Sequence, residues 1–388
     1  MGYASTIKVP FGPQHPAFKE PEYFLFEVEG DLVVNVTPRI GYAHKGIEKA
    51  FEQRNYNENI YLAERICGIC SHAHATCYTQ AIEEMLGIQI PPRARYIRTI
   101  IAELERLHSH SLWVGIAAHE VGYDTLFMYT WRDREVVMEL LEALTGGRVT
   151  HAMNTIGGVR RDISADIIPK VKSGLDYFEK RTKEYLGILK TEPTFLKRTE
   201  GVGILKPEDA VGLCAVGPTL RASGIKNDVR ADDPYAAYDE VPFNVVTLDG
   251  CDVLSRTLAR GEEMLESIGI IRNALDHMPT GELRVRVPKV VPPAEVFSRV
   301  EAPRGELIHY AKSNGTAKPE RYKVRSPTLA NIPALCKTLL GVHLADIPII
   351  LAGIDPCFAC MDRMVFVDTK ANKKWDLTMD QLKQGVNK

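Results

Sequence analysis

No stretch of this sequence is long and apolar enough to cross a bilayer. Its strongest run, residues 347–354, falls far short of the ~20 residues a membrane helix needs. Neither charge dominates: lysine and arginine number 48 against 50 acidic residues, a formal charge of −2. Nothing therefore draws the whole chain to polyanions, and nucleic acid is not an expected partner. The opening MGYASTIKVPFGPQHP has neither the charged nor the apolar segment of a secretory signal. Internal repeats and low-complexity tracts are missing too. These absences predict a chain that is soluble by itself and reaches a membrane only through partners.

What is present is the composition of a folded protein with a large core, 388 residues with 45% hydrophobic and 25% charged. Residues 23–28 and 32–36 flank Glu29-Gly30-Asp31 and predict a β-hairpin, preceded by a loop over 10–16. Helical spacing dominates residues 47–144. It is clearest after Pro91-Pro92, where Ile97, Ile101, Leu104 and His108 recur on one face, so His108 is expected to be a buried packing residue. Thr145-Gly146-Gly147 stops that region and Gly157-Gly158 marks a turn. Further helices are predicted over 164–186, capped by Asp162, and over 255–277. Residues 217–243 predict a long ordered loop, and 279–303 a broken stretch with a short strand at 283–287. The fold class is mainly α with small β additions (α+β).

Eight cysteines without a signal segment do not suggest structural disulfides. Cys77, Cys214, Cys251 and Cys336 are scattered and are expected to be small buried hydrophobes. Cys67 and Cys70 form one C-x-x-C, and Cys357 and Cys360 another, at opposite ends of the chain. Zinc ribbons separate their pairs by only ~15–20 residues, and a thioredoxin-like motif wants a βαβ context that this sequence lacks. A site made from both ends needs the fold to join them, and soft thiolates then suit nickel, iron, copper(I) or zinc. His74 follows Cys70 by one helical turn and is placed to hydrogen-bond a metal-bound sulfur.

Arg65-Ile66-Cys67-Gly68-Ile69-Cys70 with His74, and Asp355-Pro356-Cys357-Phe358-Ala359-Cys360 near the end, resemble the paired signatures of [NiFe]-hydrogenase large subunits. Asp362-Arg363, where many hydrogenases carry histidine, is similar to the membrane-bound, energy-converting branch. The likeness runs along nearly the whole chain, through residues 12–16, 157–162 and 301–305. Residues 217–224, Asp228, Arg230 and Pro234-Tyr235 are similar both to that branch and to the quinone-site subunit of complex I, which has lost the cysteine pairs. The resemblance implies a single hydrogenase-like helical bundle over 1–388, with an N-terminal β and loop region (1–45), a helical core (46–363) and a tail (364–388). It also implies that Cys67 and Cys357 are terminal nickel ligands, and that Cys70 and Cys360 bridge nickel to an iron carrying cyanide and carbon monoxide. Arg304 matches the guanidinium over the open metal position, Asp355 the carboxylate that orients it, and Glu20 the acid that passes protons to a terminal thiolate. His15 lies in a loop resembling the one that lines complex I's quinone chamber.

Three functions follow from that resemblance. The leading one is the catalytic subunit of a ferredoxin-linked, membrane-bound complex that reduces protons to dihydrogen and couples this to ion translocation. Its expected partners are a small subunit with a [4Fe-4S] cluster, ferredoxin and membrane-embedded ion-translocating subunits, at the cytoplasmic face of the membrane. The second is sulfane or polysulfide reduction by the same architecture without a working nickel site, as in the membrane-bound sulfane reductase. The third is a non-catalytic scaffold like complex I's subunit. Hydrogenases with a C-terminal extension lose it after nickel loading, whereas residues 364–388 follow Arg363 here, and Met361 stands where threonine is common. An ordered tail, with a strand over 364–367 and a helical turn over 379–383, is accordingly expected to accompany a nickel-free site.

Overall fold

The computed structural model describes residues 6–361, 363, 366–368 and 373–375. At the N-terminus β1 (Ile7–Phe11), β2 (Tyr23–Glu29) and β3 (Leu32–Arg39) form an antiparallel sheet in that order. Alternation puts Phe24, Phe26 and Val28 on the buried face. The expected hairpin is therefore part of a three-stranded sheet, and the expected loop over 10–16 begins inside a strand. Pro10 pairs with Leu25, and proline is tolerated there because β1 is an edge strand.

The helical part opens with α1 (Ile47–Phe51), α2 (Tyr56–Glu64) and α3 (Ser71–Leu86). Asn55 and Glu58 close a capping box on α2, and Gly87 in the left-handed region ends α3. Next come α4 (Pro92–Glu120) and α5 (Asp124–Thr145), the first started by its N-terminal proline and the second stopped by Gly146 at φ 83°. α4 is buried almost all round. Ile97, Ile101 and Leu104 fill one side, while Glu103, Arg106 and His110 are equally enclosed on others. His108 is buried as the spacing predicts, with Arg134 Nη2 2.5 Å from its Nε2.

A two-residue pair, β4 (Asn154–Thr155) and β5 (Gly158–Val159), turns at Gly157. α6 (Ile168–Thr191) starts later than the sequence suggests. Asp162 does not cap it but pairs with Arg93 at 2.7 Å, and Pro169 in the first turn sets the start. Short helices α7 (Pro193–Thr199), α8 (Pro207–Gly212), α9 (Pro218–Arg221) and α10 (Val229–Asp232) lead to the long α11 (Val253–His277), which packs on α4. Asp252 caps α11 by accepting from Ser255 N at 2.7 Å.

The stretch over 279–303 differs most from expectation. Residues 283–287 form no strand, only a bridge from Arg284 to Gly158. Instead β6 (Ala294–Ala302), β7 (Gly305–Ser313) and β8 (Pro319–Arg325) make an antiparallel meander. α12 (Pro327–Thr338) and α13 (Ile347–Gly353) then lead to the second cysteine pair. Beyond it β9 (Phe366–Asp368) pairs with β10 (Lys373–Trp375). The strand expected over 364–367 is thus met at 366–367; its first two residues and the turn expected over 379–383 lie outside the described residues. Of the four scattered cysteines, Cys77 is buried as expected, whereas Cys214 is exposed and Cys251 and Cys336 are half-buried. No helix among the described residues is long and apolar enough to cross a membrane.

Candidate metal centre

Cys67 leaves the turn after α2, and Cys70 occupies the N-cap position of α3. At the other end, α13 delivers Asp355 and Pro356, and a single 3-10 turn over Phe358–Cys360 brings Cys357 and Cys360 round. Thr328 on α12 fixes this turn by accepting from Cys357 N at 2.9 Å. Lys45 ties the two ends together, its ammonium donating to Ile66 O (2.6 Å) and Ala359 O (2.9 Å).

The four sulfurs meet. Cys67 Sγ lies 3.1 Å from Cys357 Sγ, Cys70 Sγ 3.5 Å from Cys360 Sγ, and Cys357 Sγ 3.0 Å from Cys360 Sγ. All four lie within 4.8 Å of one another and all four residues are buried. Sulfurs sharing one ion at ~2.3 Å would sit roughly 3.3–3.8 Å apart. Two of the distances here are a little shorter, so the group is already gathered at the scale of a single centre. Hydrogen bonds from Cys357, Cys360 and Cys70 hold the Cys67 thiol well below its usual pKa, while burial pushes Cys360 well above. The donor set is thus a compact group of soft sulfur ligands, suited to a thiophilic transition metal.

Around it stand the residues that the sequence singles out. Glu20 Oε2 accepts from Ala359 N at 2.8 Å, and its Oε1 lies 3.8 Å from Cys357 Sγ. Burial, then the Cys67 charge, raises its carboxyl above the ordinary value. Arg304 donates from Nε to Asp355 O and from Nη2 to Asp355 Oδ1, both at 2.7 Å. Burial opposes the guanidinium charge, but Asp355 and the cysteine sulfurs outweigh it and hold Arg304 firmly protonated. Among the described residues Asp355 Oδ2 is buried without a hydrogen-bond partner, which leaves it open to a group from outside the chain.

Arg304 is buried although it sits at the tip of the β6–β7 hairpin. Gly217 at φ 68° and Gly305 at φ 126° allow this, because a Cβ on Gly217 would lie 2.4 Å from Arg304 O. A cavity of about 360 Å³ reaches Glu20, Arg304 and Asp355 between Phe18, Trp113 and Phe127. Larger clefts of about 520 and 430 Å³ flank Tyr61 and contain none of the four cysteines. The loop carrying His15 lines the smaller cavity through Ala17, Phe18, Lys19 and Glu20. His15 itself is not part of the lining; it stacks on Phe11 at 3.7 Å and accepts from Ala17 N.

His74 Nε2 lies 3.5 Å from Cys360 Sγ. Its Nδ1 lies 3.0 Å from His309 Nε2, and His309 Nδ1 lies 2.6 Å from Tyr322 Oη. Neither His309 nor Tyr322 carries a motif that marks it in the sequence. Lys45 and Ser109, which accepts from Arg304 Nη1 at 3.2 Å, escape sequence reasoning for the same reason. So does Glu105, whose carboxylate accepts from His72 N and Ala73 N at the start of α3.

Known proteins are similar to this chain along most of its length. A family model described as nickel-dependent hydrogenase matches residues 45–114, around the first cysteine pair. One described as the 49 Kd subunit of respiratory-chain NADH dehydrogenase matches 120–295 and 289–363, ending past the second. The membrane-bound hydrogenase subunit alpha of Pyrococcus furiosus is 40% identical over 98% of this chain and 93% of its own length. The carbon monoxide-induced hydrogenase of Rhodospirillum rubrum is 42% identical over 92% of this chain and all of its own. Among solved structures, the membrane-bound sulfane sulfur reductase, an archaeal respiratory membrane complex, contains a chain that superposes with a TM-score of 0.88. It is 35% identical, covering 92% of this chain and 98% of that one. The chain therefore belongs to the family of [NiFe]-hydrogenase large subunits and complex I 49 kDa subunits, and is an oxidoreductase subunit of that type.

Proposed function

We propose that this chain is the catalytic large subunit of a membrane-bound [NiFe]-hydrogenase-type complex that reduces protons to dihydrogen. The observation that carries the reading is the convergence of four buried sulfurs beside Glu20. Cys67, Cys70, Cys357 and Cys360 would hold the metal centre. A nickel–iron centre with cyanide and carbon monoxide on its iron, if bound there, would supply the two-electron chemistry between protons and dihydrogen. Glu20 holds a proton next to Cys357 Sγ, and its raised pKa suits an acid that both gives and takes. Arg304 directs a fixed positive charge toward the sulfurs, and Asp355 orients it. The apolar walls at Phe18, Trp113 and Phe127 limit water near these groups. Electrons would come from ferredoxin through a partner's [4Fe-4S] cluster. Membrane-embedded partners would translocate ions and hold the chain at the cytoplasmic face.

The likeness to the sulfane sulfur reductase, and the strand at Phe366–Asp368 in a tail expected to be ordered only beside a nickel-free site, support a second reading, reduction of sulfane sulfur without nickel. One experiment separates them: nickel and iron content of the purified complex, with dihydrogen evolution from reduced ferredoxin. Stoichiometric nickel and evolved gas are expected. A nickel-free complex that reduces polysulfide instead would overturn the first reading and establish the second.

A further inference from the structure

The two cysteines of the C-terminal pair face different neighbours. Cys357 Sγ meets Glu20, a group able to exchange protons. Cys360 Sγ meets His74, the first of three side chains joined in a row: His74, His309 and Tyr322, all buried and from three different elements. The direction of hydrogen bonding along that row can be worked out from its far end.

Tyr322 Oη has His309 Nδ1 as its one hydrogen-bond partner among the described residues. Its ring packs on Phe51 at 4.2 Å with no exposure. A buried phenol that kept its proton without an acceptor would lose the full value of a hydrogen bond, so it donates to His309 Nδ1. A neutral imidazole accepting at Nδ1 carries its proton at Nε2. His309 Nε2–H then donates to His74 Nδ1 at 3.0 Å, which leaves the His74 proton on Nε2, facing Cys360 Sγ. Both rings are fully buried and neither has a carboxylate partner among the described residues, so each is neutral.

We propose that Tyr322 and His309 are positioning residues that lock His74 as a permanent N–H donor to the Cys360 sulfur. Such a donor draws electron density from a thiolate and raises the potential of a metal bound to it. It also means that His74 offers Cys360 a donor and no proton acceptor. The effect on the metal rests on the proposed nickel–iron reading; the locked tautomer does not.

The test uses the full chain in its complex, labelled with 15N-histidine, and reads the tautomer of His74 from its ring nitrogens in solid-state NMR. In wild type His74 is expected to be protonated at Nε2. Tyr322→Phe removes the phenol without changing ring packing and should shift the tautomer ratio toward Nδ1–H by about fivefold, the factor one net hydrogen bond is worth. His309→Gln, whose amide still donates to His74 Nδ1, should restore the wild-type tautomer, whereas His309→Leu should not. Wild-type His74 protonated at Nδ1, or an unchanged ratio in Tyr322→Phe, overturns the proposal. In the loaded complex the Tyr322→Phe midpoint potential should fall. A wild-type complex without nickel would count against the function proposed above and leave the tautomer result standing.

Discussion

Single side chains divide the labour around the sulfurs. Glu20, Arg304 and His74 surround the same four atoms, and in the proposed reading one would exchange protons, one would fix charge and one would donate a hydrogen bond. Glu20→Gln keeps an acceptor for Ala359 N and removes the exchangeable proton. Proton-dependent turnover is expected to fall by roughly 10²–10⁴-fold with metal content unchanged. Gas evolution measured beside elemental analysis checks this, and turnover at the wild-type rate would remove Glu20 from the proton route. Arg304 is less replaceable than its charge suggests. It donates to both the backbone and the carboxylate of Asp355 with a planar fork, which a lysine cannot reproduce.

At the level of elements, the placement of Arg304 depends on two backbones touching. Gly217→Ala would force a methyl to 2.4 Å from Arg304 O at a positive φ, so either the hairpin tip or the start of α9 must move. The expected cost is about 1–3 kcal/mol with loss of activity, read by thermal unfolding and turnover. Gly212→Ala, in α8 with nothing within 4 Å of the added carbon, is the matched control and should be neutral or slightly stabilising. The long helices and the cysteine pairs could be read from sequence because spacing and glycine or proline stops encode them directly. The β6–β8 meander could not, since its inward positions include Ser298, Glu301, His309 and Ser313, and buried polar residues erase the apolar alternation. The same physics hid half of the site. Glu20, Arg304 and Asp355 needed a family resemblance, while Lys45, His309 and Tyr322 are lone residues that only the folded chain brings near the sulfurs.

Across the whole molecule, buried charge joins what hydrophobic packing surrounds. Glu103 on α4 accepts from Arg106, from Arg230 on α10 and from Ser267 on α11, and Tyr238 also donates to it. Burial works against the Glu103 charge, but Arg106 and Arg230 outweigh it and hold the carboxyl at about 2, below the ordinary 4.5. A lowered carboxyl gives its full stabilisation above about 4.5 and loses it as pH falls toward 2. Stability should therefore decline through that window in denaturant titrations. Glu103→Gln should flatten the decline while costing roughly 3–5 kcal/mol at neutral pH, because two arginines lose a buried partner. The opposite-ends origin of the four sulfurs has a consequence in time. A ribosome adding about 5–20 residues per second takes roughly 15–60 s to travel from the first pair to the second. Throughout that interval Cys67 and Cys70 are a naked dithiol, open to zinc, copper or oxidants. If the proposed centre is installed there, whatever installs it would have to guard the first pair until the second emerges.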